Sequence, residues 1–169
     1  MYSLLIGIPV VSVASLAGAF LYQRFKRSAP DVPSACHVAA AFALVYGCVT
    51  LVAGVAHSLA VASMARRLNE YGSLQVLWFT TGALLVYTGA MNAVMSGGIK
   101  AGRASAIGLA AAASLLFVVH LLFVDPLPGS GTTIGSMLTG MTLYLLSLIA
   151  AGIAVFRSRR LYAEKAGAT

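Results

Sequence analysis

Five stretches without a charged side chain, Met1 to Tyr22, Cys36 to Ala65, Tyr71 to Ile99, Ala104 to Val124 and Pro126 to Phe156, take up most of this chain. Each holds the roughly 20 residues that a helix needs to cross about 30 Å of hydrocarbon. The wider composition agrees: 60% of the 169 residues are hydrophobic and 9% are charged, against about 25% charged in soluble domains, and the mean hydropathy is +0.92. Membrane strands would show apolar/polar alternation over about ten residues, and these runs do not. The expected fold is an all-α integral membrane protein, a single transmembrane domain spanning residues 1–169. Its five helices are expected at about 3–22, 36–63, 73–96, 104–124 and 132–156.

The net charge of +7 is a topology signal rather than a nucleic-acid one, because the basic residues gather at the ends of apolar runs. Arg24, Lys26 and Arg27 follow the first helix, Lys100 and Arg103 separate the third from the fourth, and Arg157, Arg159, Arg160 and Lys165 follow the fifth. With alternating helices all of these fall on one side, and only Arg66 and Arg67 lie opposite, where Glu70 can pair with Arg66 if the helix runs on. The positive-inside rule then puts the N-terminus outside and the C-terminus in the cytoplasm of a bacterial-type inner membrane. No basic residue precedes the first apolar run and three follow it, the reverse of a secretory signal, so that helix is expected to be retained.

The linker "QRFKRSAPDVPSA" interrupts the apolar pattern after the first helix. Pro30 and Pro33 push their preceding residues out of helix, and Ser34 can cap the second helix. This sets helices 2–5 apart as a bundle with the first helix at its side. Pro9 is expected to kink the first helix or mark its outer end. The outer segment "VDPLPGSGTTIG" reads as a turn between the fourth and fifth helices. Cys36 and Cys48 share one helix about 18 Å apart, beyond disulfide reach.

Polar groups inside a bilayer are costly, so they mark where function is concentrated. His57 and His120 lie late in the second and fourth helices at similar depth, each inside the pattern V-x-H-x-L-x-V. A duplication would make helices two-three and four-five parallel repeats. Gln75 and Trp78, early in the third helix, reach the same depth. Down the third helix, Trp78, Thr81, Leu85, Thr88, Asn92 and Ser96 share one stripe beside Gly82 and Gly89, while Gly47, Thr50, Gly54 and His57 share a face of the second. The two faces are small and hydroxylated, suited to close approach. His37, at the other end of the second helix near Tyr22 and Arg27, reads as a solvated interfacial residue.

Three readings compete for the histidines. Each donates to a carbonyl or hydroxyl on a neighbouring helix, which is the favoured one. Alternatively they flank an outer cavity with Gln75 and Trp78 that binds or transports a small solute; Asn92, an amide beyond the bilayer middle, is a separate candidate for a binding or lining role. The third is axial ligation of a haem b by His57 and His120, the only metal ligands such a reading would use, in an electron-transfer subunit. No carboxylate lies within a helix, which argues against the usual intramembrane Asp/Glu proton coupling and against a carboxylate-bound metal. No phosphate loop, nucleophile elbow or oriented Ser/His pair points to an enzyme. The helix number and chain length resemble those of the tryptophan-rich sensory proteins, but Trp78 stands alone here, and no ligand of theirs is carried over. The expected function is non-catalytic, without a cofactor. An accessory or structural subunit would pack against a larger membrane complex or self-associate, with the lipid bilayer and other membrane subunits as partners and no nucleic acid.

Overall fold

A computed structural model describes residues 2–68, 72–123 and 131–166, with side chains over 12–63, 76–122 and 139–164. The side chains of Arg66, Arg67 and Gln75, the residue Glu70 and the Asp125-Pro126 turn lie outside these described parts, and the side chain of Pro9 does too. The described residues form five helices and no strand: α1 (Tyr2–Ser28), α2 (Ser34–Leu68), α3 (Gly72–Lys100), α4 (Ala104–Phe123) and α5 (Gly131–Ala166). In hydrocarbon every backbone N–H and C=O must be satisfied within its own segment, and the helix does this. Four of the helices are long and apolar enough to cross a membrane, over Ser34–Ser63, Val76–Lys100, Ala104–Leu122 and Thr139–Glu164, as in a multi-pass membrane protein.

The helices outrun the expected bounds where nothing breaks them. α1 continues past Tyr22 through its basic residues to Ser28, because the first breaker is Pro30. α5 continues beyond Phe156 to Ala166, since "RSRRLYAEK" is built of adequate helix formers. By contrast α3 ends sharply. Gly102 takes φ +67°, a left-handed conformation open to glycine at little cost. The Gly102 N–H then donates to the Ile99 carbonyl at 2.9 Å and the Arg103 N–H to that of Gly98 at 3.0 Å. This is a Schellman closure, and α4 starts at once.

α2 packs on α3 along its length, α3 on α4, α4 on α5 and α5 on α2, so these four close a bundle, with α1 laid chiefly against α2. The α2–α3 seam is made by glycines. A Cβ placed on Gly47 would lie 2.6 Å from the Ala93 nitrogen and 2.8 Å from the Gly89 carbonyl oxygen; one on Gly89 would lie 2.5 Å from the Leu51 nitrogen and 2.7 Å from the Gly47 oxygen. Each helix therefore touches the other's backbone. The seam continues at Gly54 against Leu85 and Val86, and at Gly82 against Ser58 and His57. The face carrying Gly47, Gly54 and His57 thus meets α3.

Two apolar clusters fill the bundle. One holds Cys36, Ala39, Ala43, Ile99, Ala110, Tyr144, Leu148 and Val155; the other, toward the opposite end, holds Leu85, Phe117, Leu121 and Met141. The α1–α2 linker, the α3–α4 turn and α5 converge at the first end: Gly102 lies under Val32 and Val155, and the Lys100 ammonium sits 5.4 Å from the centre of the Phe25 ring. This is the end to which the described basic residues belong.

Candidate functional site

α3 is the element on which the bundle's polar side chains meet, in two layers. The inner layer lies between the two apolar clusters. Asn92 and Ser114 are both fully buried, as is Tyr144. The Tyr144 phenol donates to Asn92 Oδ1 at 3.0 Å, and Asn92 Nδ2 donates to Ser114 Oγ at 3.3 Å. One turn away the Thr88 hydroxyl donates to the Ala113 carbonyl at 3.3 Å. α3, α4 and α5 are therefore tied by a chain in which a phenol, an amide and a hydroxyl satisfy one another, as buried polar groups must. The Tyr144 ring is clamped by aromatic neighbours on α2, stacked on Phe42 with centroids 5.5 Å apart and tilted against Tyr46 at 5.4 Å.

The outer layer holds both histidines of the repeated pattern. His57 Nε2–H donates to the Trp78 backbone carbonyl at 3.1 Å. Only backbone is needed from position 78 there, and the indole takes no part in the bond. His120 Nε2 lies 2.8 Å from Thr81 Oγ1, whose hydroxyl also reaches the Leu77 carbonyl at 3.0 Å. One hydroxyl proton serves one acceptor, so with Thr81 donating to Leu77, His120 donates to Thr81. Both imidazoles then carry their proton on Nε2 and spend it on α3, from opposite neighbours α2 and α4.

This arrangement separates the expected site residues. His57, Trp78 and His120 share the outer layer through α3, while Asn92 sits in the inner one, with Ser114 and Tyr144 rather than with the histidines. Among the described residues both histidines of the repeated pattern bond to α3, His57 from α2 and His120 from α4. Either histidine would have to give up its Nε2 bond to ligate a metal through that atom. Among the described residues no group of three His, Cys, Asp or Glu side chains is placed to hold a metal ion.

His37 is corrected by the fold. It is 1% exposed, not solvated, because the linker folds back over it: Nε2–H donates to the Ala29 carbonyl at 2.9 Å, and the Tyr22 ring meets it edge-on at 6.5 Å. Its Nδ1 is buried without a partner. Tyr144 was not among the expected residues, although the signal was there. Tyrosine in membrane helices prefers the interfaces, and Tyr46 and Tyr144 stand in the middle of apolar runs. The chain matches no protein-family model, no curated protein and no solved structure.

Proposed function

We propose that this chain is a non-catalytic accessory subunit of a bacterial-type inner membrane, packing beside a larger membrane complex, with α1 as a fifth span and the C-terminus in the cytoplasm. The observation that carries the reading is the direction of the polar groups: His57, Thr81, Thr88, Asn92, Ser114, His120 and Tyr144 all bond within the bundle. Large apolar side chains face outward from every span, among them Val52, Val94, Leu122 and Ile149. A chain so built offers its surroundings shape and apolar surface.

Extraction in a mild detergent is expected to bring down a larger membrane protein in fixed proportion; a lone monodisperse particle would overturn the subunit reading, and a Soret band in the eluate would replace it by electron transfer through haem. The orientation is tested separately. The described basic residues gather at one end of the bundle, and the positive-inside rule assigns that end to the cytoplasm. With Cys48→Ser removing the exposed thiol, a cysteine introduced by Ser130→Cys is expected to react with an impermeant reagent from outside; labelling only from the cytoplasm inverts the topology.

A further inference from the structure

The end of α1 carries a face that the bundle leaves uncovered. At 100° per residue, Val13, Leu16, Phe20, Gln23, Arg24 and Arg27 fall within an arc of about 100°. Tyr22 and Phe25, which meet His37 and Lys100, lie on the opposite side. The uncovered face changes character along its length. Its apolar part is open, with Val13 66%, Leu16 72% and Phe20 64% exposed. It leads into an open groove of about 290 Å³ lined by Phe20, Gln23, Arg24, Arg27 and Ser28.

The charge in this groove is uncompensated. The ion pair among the described residues is Arg160 with Glu164 at 3.4 Å, and neither Arg24 nor Arg27 has one. Arg24 and Arg27, about 60° apart around the helix and one turn apart along it, both line this groove, and the planar donor fork of a guanidinium suits a phosphate. The basic residues of α5 differ: Arg157, Arg159 and Arg160 are spread over about 160° of the helix, and Arg160 is already engaged.

We propose that this face seats one anionic phospholipid, its phosphate between Arg24 and Arg27, its polar head against Gln23 and its acyl chains along Phe20, Leu16 and Val13. The order of the residues matches the order of parts in the ligand, charged head then hydrocarbon. A groove of this size takes a headgroup and leaves the chains to lie on the helix. The inference rests on α1 lying in the membrane, as proposed above.

The test uses the full chain, purified in detergent and examined by native mass spectrometry with added phosphatidylglycerol, phosphatidylcholine or inorganic phosphate. The wild type is expected to retain one phosphatidylglycerol in preference to phosphatidylcholine. Arg24→Gln/Arg27→Gln is expected to lower that occupancy about thirtyfold, about fivefold for the attraction of each basic residue to anionic lipid. Arg157→Gln/Arg159→Gln is expected to leave it unchanged. Equal loss in both variants overturns the site in favour of diffuse charge, and equal retention of the two lipids overturns it outright. Inorganic phosphate displacing the lipid completely makes it a soluble-anion site and overturns the lipid assignment. Release of the protein from membranes by alkaline carbonate defeats the membrane reading itself, a failure distinct from all of these.

Discussion

Gly89→Ala is expected to destabilise the protein by about 2 kcal/mol, although alanine is the better helix former by about 1 kcal/mol. The added methyl would lie 2.5 Å from the Leu51 nitrogen, 2.8 Å from its Cα and 2.7 Å from the Gly47 oxygen, all well inside the 3.5–4.0 Å of favourable contact. Every one of these neighbours is backbone, so no side chain can rotate away. Relief requires α2 and α3 to move apart along a seam where a Cβ on Gly54 would likewise lie 2.7 Å from the Val86 nitrogen. Overpacking of this kind costs about 1–3 kcal/mol and sometimes more, and the upper figure less the gain in propensity leaves the stated loss. Gly89→Leu should exceed it and prevent the helices from docking. The control has the opposite sign: Gly97 and Gly108 have nothing within 4 Å of a Cβ, so alanine there should be neutral or slightly stabilising. Unfolding by SDS titration or steric trapping in bicelles measures both; a Gly89→Ala variant as stable as Gly97→Ala would show that the two backbones do not meet.

Tyr144→Ala is expected to cost about 3–5 kcal/mol, the range for deleting a buried aromatic ring, because it empties a site walled by Phe42 and Tyr46. Tyr144→Phe keeps the ring and removes the proton donated to Asn92, leaving a buried amide oxygen bare at a cost of about 1–2 kcal/mol. The diagnostic quantity is the coupling. Once Asn92→Leu has removed the acceptor, Tyr144→Phe should cost less by about 0.6–2 kcal/mol, the range found for interhelical hydrogen bonds in membranes. Additive losses in the same unfolding assay would mean that the two side chains are not bonded. The difference between the Ala and Phe variants separates packing from hydrogen bonding at one position.

The sequence carries the faces of these helices plainly and their partners hardly at all. Three- and four-residue spacing put Thr81, Thr88, Asn92 and Ser96 on one stripe of α3, and Thr88, Asn92 and Ser96 are buried. Periodicity says which residues share a side; it does not say which helix lies against that side. So the stripe marks Asn92 as facing a neighbour without naming Ser114 on α4 and Tyr144 on α5 as its partners. His37 has a related lesson: its place at a helix end near Arg27 suggests solvent, and its burial depends on Ala29 folding back eight residues away. The bond that His57 makes at Trp78 goes to its backbone carbonyl, a contact to which side-chain identity is blind.

The glycine seam has a consequence for how the chain is assembled. An interface made of two touching backbones is complete with α2 and α3 alone, which are consecutive and follow the linker held by His37. This hairpin can close before α4 and α5 have been synthesised. Until then Asn92 stands on its outer surface with neither hydroxyl in reach, a polar group facing lipid. The arrival of α4 supplies Ser114, and that of α5 supplies Tyr144, so the last helix to emerge is the one that shields the amide and seats its ring between Phe42 and Tyr46. A chain stopped before α5 would display to the cell's quality control an amide oxygen without its donor, which the finished protein conceals.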